Sequence, residues 1–92
     1  MKLTTIEIEN RLKKLNNWFL VSNAIEKKYV FKDFKEAMLF INKVALLAEE
    51  MSHHPEWNNV YNKLNIRLST HDISGISEKD FELAEAIDSI SL

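Results

Sequence analysis

His53, His54 and His71 are the only histidines in a 92-residue chain that has no cysteine. Two stand side by side in Glu49-Glu50-Met51-Ser52-His53-His54-Pro55-Glu56-Trp57, and the third follows eighteen positions after His53. Imidazole titrates close to neutral pH, so a histidine can give a proton and take one back under working conditions. General acid–base catalysis is the chemistry these residues suit first. Pro55 disfavours helical geometry at His54 and pushes it towards an extended conformation, whereas His53 can still close a helical turn. The two rings are therefore expected to point in different directions. A helix ending at His53 also brings partial negative charge there, which favours imidazolium. The plain alternative is that the histidines only finish a helix.

Other residues of this stretch have similar double readings. Glu49 lies one helical turn before His53 on the same side, where it can accept from His53 or from the N–H groups of a ligand, or stay a solvated carboxylate. Trp57 and Tyr61 offer flat surface for a planar heterocycle, although core packing is the commoner fate of such rings. Asp80 closes the box Ser77-Glu78-Lys79-Asp80, and capping by itself accounts for it. A metal site fits poorly. There is no His-Glu-x-x-His pair on one helix face, His53 and His54 diverge, and thiolate ligands are absent, so no metal residues are expected.

The elements that must position these side chains follow from caps and periodicity. Thr4-Thr5-Ile6-Glu7 reads as a capping box opening a helix that buries Ile8, Leu12 and Leu15 and ends at Asn16-Asn17. Trp18–Val21 and Ile25–Phe31 read as two strands around a turn at Ser22-Asn23, with one wet face. Asp33-Phe34-Lys35-Glu36 opens the longest helix, predicted over Phe34–His53. Its apolar arc runs from Phe34 through Ala37, Ile41, Val44 and Ala48 to Met51. Leu39 and Leu46 fall on the opposite side, either as isolated surface leucines or as a contact face for a second subunit. Residues 58–70 read as a strand pair or one long bent strand, with Val60, Leu64, Ile66 and Leu68 of one parity. His71–Gly75 is a loop, and a final helix runs from Ser77 to about Ile90. The order α-β-β-α-β-β-α predicts an α+β protein with helices packed on one face of an antiparallel sheet, built as a single domain over residues 1–92.

Composition narrows the function classes. Hydrophobic residues make up 46% and charged residues 28% of the chain, the balance of a globular domain. The net charge is −2 without long like-charged runs, so the electrostatic footprint of a nucleic-acid binder is missing. The apolar window Ala37–Ala48 is too short to span a membrane and carries Lys43. Zero cysteines exclude disulfides and fit a reducing compartment. With no signal peptide visible at Met1-Lys2-Leu3-Thr4, a cytoplasmic location is expected. Catalytic serine motifs, phosphate-cradling glycine loops and dinucleotide fingerprints are absent.

Taken together, Glu49-x-x-x-His53-His54-Pro55, Tyr61, His71 and Asp80 at these spacings resemble the signature of the pterin-4a-carbinolamine dehydratases. So do the longer strings His-His-Pro-Glu-Trp-Asn-Asn-Val-Tyr-Asn-Lys at 53–63, Leu-Ser-Thr-His at 68–71 and Gly-Ile-Ser-x-x-Asp-Phe-x-Leu-Ala at 75–84. The likeness extends over essentially the whole chain. One departure is Asn17, where many members carry glycine before the tryptophan.

The resemblance implies a four-stranded antiparallel sheet with helices on one face. It also implies a 4a-hydroxytetrahydrobiopterin dehydratase activity: 4a-hydroxytetrahydropterin loses water to give quinonoid dihydropterin, with no metal or redox cofactor. By the same analogy His53 is the principal acid/base, and His54 and His71 bind substrate and assist. Glu49, Trp57 and Asp80 then form the substrate-binding set, Glu49 otherwise orienting His53 and Asp80 supporting His71 or its loop. Homodimers joined edge to edge, and homotetramers through the long helix, are further implications, which would employ Leu39 and Leu46. So is a place beside an aromatic amino acid hydroxylase. Some animal members bind a homeodomain transcription factor, a role nothing in these residues reveals. Two alternatives are a non-catalytic dimerisation or regulatory module of the same fold, and a pterin protein serving molybdopterin metabolism.

Overall fold

The computed structural model describes residues 1–92 as α1 (Thr5–Leu12), β1 (Phe19–Val21), β2 (Ala24–Val30), α2 (Phe34–Met51), β3 (Glu56–Val60), β4 (Lys63–Leu68), a single 3-10 turn (His71–Ile73) and α3 (Glu78–Asp88). The expected α-β-β-α-β-β-α order and α+β class are what is found. All strand pairs are antiparallel, in the spatial order β1-β2-β4-β3, so β1 and β3 are the edges. No helix is long and apolar enough to cross a membrane.

Strand register decides which face the helices cover. Ile25 pairs with Leu68, Lys27 with Ile66 and Tyr29 with Leu64, so these positions share one face. The helices bury that face with Ile8 from α1, Phe40, Val44 and Ala48 from α2, and Phe81, Leu83, Ala84 and Ile87 from α3. The other face carries Glu26, Lys28, Val30, Lys63, Asn65 and Arg67. Val60 belongs to it too and is 70% exposed, although its parity along the chain matches that of Leu64. The two-residue turn Tyr61-Asn62 is the reason. The strand region predicted over 58–70 is a hairpin of β3 and β4, starting at Glu56 and ending at Leu68, and crossing the turn resets the alternation.

Backbone turns are made largely without glycine. Asn17, Ser22, Ser52, Tyr61 and Ser74 all take positive φ, while the lone glycine does not. Gly75 answers to close approach instead: the side chain of Lys2 lies 2.6 Å from where a Cβ would stand. Helix α1 stops at Leu12, earlier than Asn16-Asn17, and Asn17 supplies the left-handed residue before β1. At the start of α2 Asp33 accepts from the Glu36 N–H, but the Glu36 carboxylate reaches the N–H of Lys32 instead of that of Asp33. Asp33-Phe34-Lys35-Glu36 thus has the residue types of a capping box but forms only half of one.

Tyr29 stacks on Phe31 and meets Phe40 at 4.8 Å between ring centroids. Its hydroxyl is sealed from solvent without a hydrogen-bond partner. Burial, and secondarily Asp88, push its ionisation well above the ordinary tyrosine range. The unfolded chain therefore loses this proton near pH ~10 while the folded chain keeps it. Stability from this group is full below that pH and is lost as pH climbs towards the folded value. Urea titrations across the alkaline range should show that loss in the wild type and a shallower one in Tyr29→Phe. At pH 7 the variant should be neutral or more stable by up to about 1 kcal/mol, since an unpaired buried hydroxyl is removed. A clear destabilisation at pH 7 would contradict this reading.

Candidate active site

Helix α2 ends two residues before the predicted His53, at Met51. Ser52 adopts φ 52 and ψ 38, its N–H donates to the Glu49 carbonyl, and the His53 N–H donates to the Ala48 carbonyl at 3.1 Å. This is a Schellman closure, with serine in the left-handed position that glycine usually fills. It turns the chain sharply, so His53 leaves the helix pointing back under α3 while His54 and Pro55 lead out into β3.

The two imidazoles accordingly meet different partners. His53 is only 11% exposed, and its Nε2 lies 2.6 Å from Oδ1 of Asp80, which is fully buried. His54 stays in solvent with its Nε2 2.9 Å from Oε2 of Glu49. Glu49 was the carboxylate expected to orient His53; in the structure it pairs with His54, because the Schellman turn carries His53 off the helix face it would otherwise share with Glu49. Asp80 takes that place. It comes from the first turn of α3, where its other oxygen, Oδ2, accepts from the Ser77 N–H at 2.9 Å and the Thr70 hydroxyl at 2.8 Å. Capping is only one part of its bonding. Thr70 was not singled out in the sequence, and the only signal for it was its place directly before His71.

His71 begins the 3-10 turn and is exposed. Thr70 and Gly75 close the base of its loop: Thr70 N–H donates to the Gly75 carbonyl at 2.7 Å. Asp80 therefore supports the loop of His71 through Thr70 and Ser77 but does not bond the His71 ring. The structure brings all three histidines to one cavity of about 490 Å3, lined by residues 52–56, 69–72 and Lys79. That volume is in the range of small-molecule sites, about 300–1,000 Å3. The lining is mostly polar, with Pro55 its one aliphatic side chain and the three imidazoles its only rings otherwise. Trp57 is not among the lining residues. It points to the helix side of β3, beside Met38, Ile41 and Leu64. Tyr61 sits at the far end of β3, roughly 17 Å of strand away. No set of three or more His, Asp or Glu side chains converges as metal ligands.

Such a cavity can exchange protons with a small polar ligand. His53 Nδ1 makes no hydrogen bond within the chain and is not sealed from solvent, since the only sealed and unpaired side-chain polar atoms are Tyr29 Oη and Asn65 Oδ1. A ring locked by a buried carboxylate at one nitrogen and open at the other is the arrangement of an oriented acid/base.

Comparison with known proteins agrees in sequence and in shape. A family model described as Pterin 4 alpha carbinolamine dehydratase matches residues 1–90. A Christiangramia forsetii protein named "Putative pterin-4-alpha-carbinolamine dehydratase" is 46% identical over 89 residues, covering 97% of this chain and 92% of that protein. The crystal structure of a transcriptional coactivator/pterin dehydratase from Brucella melitensis superposes with a TM-score of 0.93 at 37% identity, covering 97% of each chain. A pterin dehydratase-like RuBisCO assembly factor of the alpha-carboxysome shares the fold, with a TM-score of 0.64 at 22% identity over 78% of this chain and 83% of that one. The whole-chain match and the relatives that share it make this chain a member of the pterin 4 alpha carbinolamine dehydratase family.

Proposed function

We propose that the protein is a hydro-lyase that dehydrates 4a-hydroxytetrahydropterin. The observation that carries this reading is the His53 ring, held at Nε2 by buried Asp80 and unpartnered at Nδ1, on the lining of a cavity that His54 and His71 also line. In the reaction the C4a–O bond breaks as a proton reaches the departing oxygen. N5 gives up its proton, and its electron pair forms the C4a=N5 bond. Water leaves, and the proton delivered is matched by the proton removed. One of these transfers suits His53, and His71, from the other lining segment, suits the second. The polar walls favour a heterocycle rich in N–H and C=O groups, with His54 on the lining and Glu49, which does not line the cavity, acting through its contact with His54. Trp57 has no direct contact with substrate in this reading, and Asp80 acts through His53.

A dehydration assay with chemically generated 4a-hydroxytetrahydropterin tests the proposal. Acceleration over buffer is expected, and no acceleration by folded protein ends the enzyme reading in favour of a non-catalytic module. The pathway served, aromatic hydroxylation or another pterin pathway, is decided by neighbouring genes and by the substrate's side chain.

Self-association is part of the same proposal. Leu39 and Leu46 on α2 are 55% and 68% exposed, an apolar pair on the helix side turned from the core. Light scattering should give a wild-type mass that is a multiple of 10.8 kDa. Leu39→Glu should reduce it, because a charge placed in an apolar contact is strongly unfavourable. A monomeric wild type, or an unchanged mass in the variant, would remove this face as an interface.

A further inference from the structure

We propose that Thr70, backed by Ser77, is a positioning residue that fixes the Asp80 carboxylate and, through it, the tautomer of His53. The inference deepens the acid–base reading above and rests on it for its catalytic consequence.

The hydrogen atoms can be assigned one by one. A carboxylate only accepts, and a threonine hydroxyl has a single proton to donate. Thr70 Oγ1 lies 2.8 Å from Asp80 Oδ2, so that proton goes to Asp80. The 2.7 Å contact between Thr70 and Ser77 hydroxyls must then be donated by Ser77. Ser77 Oγ in turn accepts from the Lys79 N–H at 3.2 Å. A directed chain results, from Ser77 to Thr70 to Asp80. With the Ser77 N–H also on Oδ2, one side of the Asp80 carboxylate is filled, and Oδ1 is left for His53.

Asp80 is fully buried, and its Oδ2 accepts from the Thr70 hydroxyl and the Ser77 N–H, which holds the carboxylate in one orientation. A carboxylate Oδ1 at 2.6 Å accepts, which places the proton on His53 Nε2. In the neutral ring the lone pair is therefore on Nδ1, the nitrogen that has no partner within the chain. Thr70 also anchors the loop of His71 through its main-chain pairing with Gly75. One residue thus acts on the tautomer of His53 through Asp80 and on the loop of His71 through its backbone.

Long-range 15N–1H spectra of the histidine rings read the tautomer directly and need no turnover. Wild-type His53 should be in the Nε2–H form when neutral. Thr70→Val should give a mixture of tautomers and lower kcat about 10-fold, with KM within about twofold, the scale of one lost hydrogen bond to a charged group. Thr70→Ser should restore both the spectrum and the rate. If circular dichroism shows that the valine variant does not fold, Ser77→Ala is read for the same, smaller, tautomer shift. A wild-type Nδ1–H tautomer, or spectra unchanged by removing the hydroxyl, would overturn the proposal. Absence of dehydratase activity in the wild type sinks only the functional reading, because the spectra still decide what Thr70 does.

Discussion

His53→Ala is expected to lose about 10²–10⁴-fold in kcat for the dehydration, the usual worth of a positioned acid or base. The expectation follows from burial and bonding. Of the three histidines, only His53 is held by a buried partner; the Glu49 that meets His54 is exposed. His71→Ala should lose less, since an exposed ring on a loop is replaced in part by water. The truncation at His53 also leaves Asp80 Oδ1 buried and unpaired. A stability loss of about 1–3 kcal/mol should accompany the rate loss. Single-turnover rates measured on protein verified as folded separate the two effects. Full activity in His53→Ala would overturn the assignment, and a larger loss in His71→Ala would exchange the two roles.

Asp80→Ala is expected to be the most destabilising single change in the site, by about 3–5 kcal/mol. Three groups lose their acceptor together: the His53 ring, the Thr70 hydroxyl and the Ser77 N–H. The first turn of α3 loses half of its capping box at the same time. Native domains have only about 5–15 kcal/mol in hand. The melting temperature of a chain this size should therefore fall by roughly 12 °C or more. Asp80→Asn keeps the shape and one acceptor, so it should retain more stability. Its amide cannot accept on both sides, and the His53 ring is no longer held by a charge, so much of the activity should still be lost. Denaturant unfolding followed by both fluorescence and activity distinguishes the variants. A loss below about 1 kcal/mol in Asp80→Ala would show that the buried carboxylate is not the keystone described here.

Much of the fold was legible because its signals are local. The capping residues Thr4, Asp33 and Ser77 each begin a helix, since a side chain that satisfies free N–H groups lies within three residues of them. Alternation in β2 and β4 picks out the buried face for the same reason. Boundaries were less legible. Serine at position 52 gave no warning of a left-handed closure, and the long helix therefore stops before His53. Val60 was grouped with Leu64 because parity was counted across a turn whose two residues include neither glycine nor proline.

For the site, the residue types and their spacing pointed to three histidines, and to acid–base chemistry over metal binding, because imidazole chemistry is intrinsic to the side chain. Resemblance supplied the family and the substrate class. Partnership was different. Glu49 and His53 are four residues apart, and on a continuous helix they would be neighbours. Asp80, twenty-seven residues from His53 along the chain, has no sequence relation that announces a contact. Only the packing of α3 against the end of α2 brings its carboxylate within 2.6 Å of the ring. The same packing sends Trp57 to the helix side of β3 and not to the cavity, since β3 pairs with β4 in the register that puts Trp57 opposite Ile66. Short-range stereochemistry and side-chain chemistry were thus written in the sequence. Which carboxylate holds which imidazole depends on long-range packing, where contacts are set by the summed burial of many residues and not by any local pair.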